Sequence, residues 1–170
     1  AGQIIAQAVK KMGAWKVIVA DIVDCKLELA RILGADVAVN PRKEDFVERI
    51  LQETNGVGVD VAIEVGGTTE TVQMCTDILK HGGILGMYSW IMDPLEHLYI
   101  DRWHDDGFDI RTLALMHRIR HDRIWYIKQA SSLMERGIIQ VEPLITHYFP
   151  LEEAQKAFEV AGDDDTVCKV

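Results

Sequence analysis

The chain opens Ala1-Gly2-Gln3-Ile4-Ile5, and nineteen positions after Gly2 stands Asp21, which closes the run Lys16-Val17-Ile18-Val19-Ala20-Asp21. A glycine opening a helix, followed about 20 residues later by an acid at the tip of a strand, is the second half of a dinucleotide-binding βαβ unit. The unpaired backbone amides at a helix N-terminus favour a pyrophosphate, and glycine lets backbone and ligand approach closely. A carboxylate at the next strand's tip accepts hydrogen bonds from both ribose hydroxyls. It also repels a 2′-phosphate, so the spacing favours NAD over NADP. The first strand and the earlier glycines are expected upstream of residue 1.

Outward from this stretch, strands and helices alternate. Ile4, Ile5, Ala8, Val9 and Met12 share one helical side, so residues 2–12 read as an amphipathic helix stopped by Gly13 before a strand at 16–21. Asp24 is a candidate N-cap for a helix carrying Leu27, Ala30, Ile32 and Leu33, which ends at Gly34 before a strand at Val37-Ala38-Val39. After Asn40-Pro41, the residues Phe46, Val47, Ile50 and Leu51 repeat at helical spacing until Asn55-Gly56. A strand over 59–65, a helix over 69–80, a turn at Gly82-Gly83 and a strand over 84–88 continue the pattern. Residues 91–107 read as a short helix or loop, and 109–115 as an edge strand. A helix over 119–136, an extended stretch over 144–149 and a helix over 151–160 follow. The class is α/β, a doubly wound parallel sheet lacking its first strand.

Composition narrows the function. With 48% apolar residues in 170, the chain can bury a core as an ordinary domain. A net charge of −9 excludes a nucleic-acid surface, since the nearest basic stretch is the mixed His117-Arg118-Ile119-Arg120-His121. No apolar run reaches membrane-spanning length, and the opening residues show no signal pattern, so the start reads as a fragment edge. Cys25, Cys75 and Cys168 are too few and too scattered for a disulfide framework or a Cys-x-x-Cys metal site. Reduced thiols and a cytoplasmic location are expected.

The stretch 21–30 followed by Leu33-Gly34-Ala35-Asp36, then 59–65, Gly82-Gly83 and Ile145-Thr146-His147-Tyr148-Phe149-Pro150-Leu151-Glu152-Glu153-Ala154, resembles the medium-chain dehydrogenases. Within them the chain looks most like the C-terminal half of the zinc-dependent alcohol and polyol dehydrogenases. The resemblance implies a partial NAD-binding Rossmann domain over 1–115. Residues 116–170 would be a segment returning to a mostly absent catalytic domain. Gly2 matches the last glycine of the family's phosphate turn, and Asp21 the acid on the adenosine ribose. Ile22 falls where an apolar side chain flanks the adenine, and Lys26 where a lysine assists at the ribose. Val65 and Gly66 match the segment under the cofactor. Ser89 and Trp90 match the segment whose backbone meets the nicotinamide, and Leu113 and Leu115 the last strand, whose backbone bonds the carboxamide.

The same resemblance implies hydride transfer between NAD and a secondary alcohol or polyol, assisted by zinc in the missing domain. It also implies pairing of subunits through the last strand, near residues 109–115, in a homo-oligomer such as a dimer or tetramer. No catalytic residue and no metal ligand is assigned within the chain, because the family's zinc ligands and structural zinc loop lie upstream. Where relatives end the fifth strand with small residues, Tyr88-Ser89-Trp90 would narrow the pocket. Two alternatives stand: a zinc-free quinone or enoyl reductase of the same superfamily, and a non-catalytic nucleotide-binding module.

Other polar features read as structural. His117 and His121 lie one helical turn apart, but no glutamate intervenes and their neighbours are basic. His104-Asp105-Asp106 reads as an exposed loop, and His147 as structural. Tyr99, Trp103, Trp125 and Tyr126 read as packing or pocket wall. With the first strand absent, the sheet would carry two open internal edges, so residues 1–170 alone are expected to be poorly soluble or partly molten.

Overall fold

Val17 is buried at the foot of the first strand, where its N–H donates to Asp36 Oδ2 at 2.7 Å and its carbonyl accepts from the N–H groups of Asp36 and Val37. These bonds join the entries of two parallel strands, β1 (Ile18–Ala20) and β2 (Val37–Val39). The computed structural model describes residues 1–91, 94–113, 119–163 and 166–170, with the side chains of 119–123 and 163 left aside. Two compact units result: residues 1–43 with 124–170, and residues 44–123. This division by packing is separate from the boundary expected between 115 and 116.

In the first unit α1 (Gly2–Lys11) precedes β1, and α2 (Asp24–Ile32) connects β1 to β2. The face of α1 buried within the chain is Gln3, Ala6 and Gln7, not the expected apolar one: Ile4 is exposed and Met12 is 86% exposed. Hydrogen bonds decide this. Gln7 Nε2 donates to Gln140 O at 3.0 Å and Gln7 Oε1 accepts from Gln140 N at 2.7 Å, so the side chain substitutes for a backbone pair. Lys10 Nζ lies 2.7 Å from both oxygens of Asp36, tying the end of α1 to β2. Later in the chain come α6 (Ile119–Glu135), a 3₁₀ turn (Glu142–Leu144), another (Leu151–Glu153) and α7 (Ala154–Asp163).

The second unit holds α3 (Phe46–Glu53), capped by Asp45, and three parallel strands in the order β3 (Val59–Glu64), β4 (Leu79–Met87), β5 (Asp109–Thr112). Between β3 and β4 lies α4 (Thr69–Ile78), and before β5 the short α5 (Asp101–Asp105). Gly82-Gly83, expected as a turn, sits inside β4. Val59 pairs with Leu79 but Val61 with Ile84, so β4 carries extra residues there, accommodated by the positive φ of Gly82 at +66°. The helix correspondingly ends at Ile78, two residues earlier than expected.

No loop separates α4 from β4, and Arg102 caps the junction. Its guanidinium donates to the carbonyls of Thr76, Asp77 and Leu79 at 2.8–2.9 Å and to Asp106 at 2.7 Å. It lies 5.4 Å from the centre of the Phe108 ring. Among the described residues, β1 and β2 form one sheet and β3, β4 and β5 another, so neither β1 nor β3 has a strand on its second side.

Candidate functional site

The expected cofactor residues fall into two groups, one in each unit. In the first unit, Gly2 begins α1. A Cβ built there would meet nothing within 4 Å, so packing within the chain does not account for the missing side chain. Asp21 follows β1 directly. Its N–H donates to Val39 O at 3.2 Å, and its Oδ1 accepts from Val23 N at 3.0 Å in a local turn. The carboxylate remains partly exposed with further acceptor capacity. Ile22 is 44% exposed and stands beside it.

Two residues not singled out as site residues hold this corner. Asn40 is buried and donates to Ile22 O at 3.2 Å and to Asp24 Oδ1 at 2.8 Å, while its Oδ1 accepts from Arg42 N. It thus fixes the chain just after Asp21 against the turn after β2. Gln3 Nε2 donates to Lys26 O at 2.7 Å, which joins the first turn of α1 to the first turn of α2 and so sets Gly2 relative to Lys26. Gln3 Oε1 is buried with no hydrogen-bond partner among the described residues. An asparagine before proline at a strand end was the available signal for Asn40; Gln3 gave none. The Lys43 ammonium and the Asn40 amide hold the Asp24 carboxyl below the usual range.

In the second unit, the ends of β3 and β4 meet. Glu64, the last residue of β3, is 1% exposed, and its carboxylate accepts from Gly67 N at 2.7 Å, from Thr71 Oγ1 at 2.7 Å and from the Ser89 hydroxyl. Thr68 and Thr71 cap α4 reciprocally above it. Gly66 is packed so closely that a Cβ would lie 2.6 Å from Thr71 Cγ2, while Gly67 turns the chain at φ +80°. Val65 and Gly66 therefore lead into a turn tied to Ser89. Trp90, next in the chain, is 73% exposed. Leu113 N donates to Met87 O at 2.8 Å, so what Leu113 can offer a carboxamide from its own backbone is its carbonyl. Its side chain lies across Gly86, where a Cβ would meet Leu113 Cδ1 at 2.9 Å. Leu115 lies outside the described residues, as does the His117–His121 pairing.

Burial, with the nearby Glu64 charge adding to it, pushes the Cys75 thiol up to about 12. Trp103 Nε1 donates to Thr76 Oγ1 at 2.9 Å, which makes this ring a strut beneath α4, and Tyr99 N donates to Gln73 Oε1. Trp125 and Tyr126 pack edge to face in the first unit. His104 faces Asp105 at 3.4 Å on an exposed helix, and His147 stacks on Phe149. Among the described residues, no three His, Cys, Asp or Glu side chains are placed to hold a metal ion. No helix among them is long and apolar enough to cross a membrane.

Comparison with known proteins bears on the family and the fold. The chain is 31% identical over 159 residues to L-threonine 3-dehydrogenase of Bacillus licheniformis, covering 94% of itself and 44% of that protein. It therefore spans less than half the length of the curated relatives it matches. Among solved structures, alcohol dehydrogenase TADH from Thermus sp. ATN1 superposes over 98% of the chain and 46% of its own, with a TM-score of 0.84 and 26% identity. The Escherichia coli quinone oxidoreductase complexed with NADPH, at 24% identity and a TM-score of 0.76 over 94% of the chain and 49% of its own, shares the fold. The family model described as zinc-binding dehydrogenase matches residues 1–132. The chain belongs to the zinc-binding dehydrogenase family.

Proposed function

We propose that this chain is the cofactor-binding part of an NAD-dependent dehydrogenase acting on a secondary alcohol or polyol. The observation that carries the reading is Asp21, partly exposed at the end of β1, its Oδ1 held by Val23 N and nineteen residues beyond the uncrowded Gly2. Asp21 accepts the adenosine ribose hydroxyls, with Lys26 assisting from α2 and Ile22 flanking the adenine. The first amides of α1 receive the pyrophosphate. Val65 and Gly66 pass beneath the nicotinamide half, with Ser89 and Trp90 alongside and the carbonyl of Leu113 accepting from the carboxamide.

NAD, when bound, supplies the hydride acceptor: the alcohol carbon gives up a hydride and its oxygen a proton, leaving a carbonyl. What these residues contribute is orientation, by which a bound reactant reaches attack geometry without further loss of freedom. A zinc ligand set is not among the described residues. The curated relatives bear the name L-threonine 3-dehydrogenase, and the 3-hydroxyl of threonine is a secondary alcohol of the proposed class. Assembly through β5, which pairs with β4 on one side and is exposed along its length, gives a homo-oligomer in a cytoplasmic setting.

The test is cofactor choice in the full-length protein that carries these residues. NADH is expected to bind at least about tenfold more tightly than NADPH, and Asp21→Ser to narrow or reverse that ratio. Tighter binding of NADPH by the unaltered protein would reject the reading. It would instead favour the quinone-reductase alternative, whose structural counterpart was solved with that cofactor.

A further inference from the structure

A carboxylate held away from water is costly unless hydrogen bonds replace hydration, and Glu64 at 1% exposure receives three. The origin of those donors matters more than their number. Gly67 N belongs to the turn that follows Val65 and Gly66, Thr71 Oγ1 to the first turn of α4, and the Ser89 hydroxyl to the chain leaving β4. The backbone of the same residue repeats the link, since Glu64 O accepts from Tyr88 N at 3.0 Å and from Ser89 N at 3.4 Å. The two segments also touch: a Cβ on Gly67 would stand 3.4 Å from Trp90 O and 3.5 Å from Ser89 Cβ. None of these bonds reinforces the middle of the sheet. Those from Gly67 and Thr71 fix the exit of β3, and those from Tyr88 and Ser89 set it relative to the exit of β4.

We propose that Glu64 is a positioning residue for the nicotinamide half of the cofactor, holding the Val65–Gly67 turn and the Ser89–Trp90 segment at one fixed separation. This rests on the dehydrogenase reading above. Glu64 touches neither cofactor nor substrate in this role and acts through Gly67 and Ser89. The adenosine half is bound by residues that Glu64 does not contact. Disturbing the carboxylate therefore separates two affinities that a general loss of folding would lower together.

The experiment measures dissociation constants of NADH and of ADP-ribose, which lacks the nicotinamide, for the full-length protein and its Ser89→Ala, Ser89→Thr and Glu64→Ala variants. Ser89→Ala removes one donor and leaves Gly67 and Thr71 paired to the carboxylate, so it tests the tether even if Glu64→Ala fails to fold. Ser89→Ala is expected to weaken NADH about tenfold while ADP-ribose changes by less than about twofold, with Ser89→Thr restoring NADH. Reduced-nicotinamide fluorescence of the bound NADH is expected to fall in Ser89→Ala and recover in Ser89→Thr. Unchanged NADH affinity in Ser89→Ala, or equal losses for both ligands, would overturn the positioning role alone. Failure of the unaltered protein to bind either ligand would overturn the dehydrogenase reading and this inference with it.

Discussion

Two strands end in carboxylates, β1 just past its last residue at Asp21 and β3 at Glu64, and the two groups stand in opposite surroundings. Asp21 is partly exposed, with one local bond to Val23 N. Glu64 is buried and bonded to three donors from three segments. Position at the exit of a parallel strand is common to both; neighbouring donors differ. The turn after Asp21 leaves acceptor capacity facing solvent, where a ligand's hydroxyls can take it up. The Gly67 turn and the α4 cap fold back over Glu64 and use that capacity within the protein. A strand-end acid thus keeps open acceptor capacity or becomes a structural hub according to the donors its neighbouring segments supply.

The widest expected gap lies in the cysteines near the two acids. Cys25 is exposed on α2, and Cys75 is half-buried near Glu64 with its thiol pushed up to about 12. At pH 8 native Cys75 should alkylate about a thousandfold more slowly than a free cysteine, because only the thiolate reacts. Mass spectrometry after iodoacetamide should find Cys25 modified first. Early modification of Cys75 would mean that the Glu64 region opens readily, and the contrast would fail.

Next in size is stability. Glu64→Leu leaves Gly67 N–H, Thr71 and Ser89 without their acceptor and should cost about 3 kcal/mol, whereas Asp21→Ala should stay within about 0.5 kcal/mol. Urea unfolding of the full-length protein measures both, and equal costs would break the comparison. Binding should then rank the pair the other way for the adenosine half. Asp21→Ala is expected to weaken ADP-ribose about tenfold, a loss that isothermal titration would register.

The smallest effect concerns a third carboxylate, Asp36, which supports the fold while half-exposed. Hydrogen bonding from Lys10, then from Val17 N, lowers its pKa below 3.8 in the folded protein. A folded value below the unfolded one contributes stability that is present above about pH 4 and is lost as pH falls through the folded value. Asp36→Asn should therefore reduce stability at neutral pH, by less than about 1 kcal/mol for so exposed a pair. The gap from the unaltered protein should close on acidification. Urea midpoints between pH 2 and 7 would show whether it does.

Much of the fold was legible because alternation of apolar runs with helical spacing survives in the sequence, and because Gly2 and Asp21 bracket the first helix–strand pair. The polar interior was not. A helical wheel of α1 ranks Ile4, Ile5, Ala8, Val9 and Met12 as the inner side, yet Gln3 and Gln7 are buried with Ala6, since backbone groups at Lys26 and Gln140 pair with their amides. Such partners lie 23 and 133 positions away and leave no local pattern. Glu64 presents the same difficulty. In Val59-Asp60-Val61-Ala62-Ile63-Glu64 the acids alternate like solvent-facing residues, and Asp60 does reach Lys80 at the surface, while Glu64 is buried by residues 67, 71 and 89. Gly82-Gly83 looked like a turn because the pairing that draws it into β4 depends on register against β3.

The direct passage from α4 into β4 has a consequence for the order of folding. Helices α1, α2 and α3 are followed within a few residues by Gly13, Gly34 and Gly56, so each can be terminated by nearby chain. The last carbonyls of α4 instead wait for Arg102, which lies 23–26 residues beyond the groups it caps. Until that segment docks, the end of α4 can fray and the first residues of β4 lack a fixed starting point. The junction is accordingly expected to close late: Arg102→Met should speed unfolding while leaving the refolding rate nearly unchanged, a kinetic φ-value close to zero.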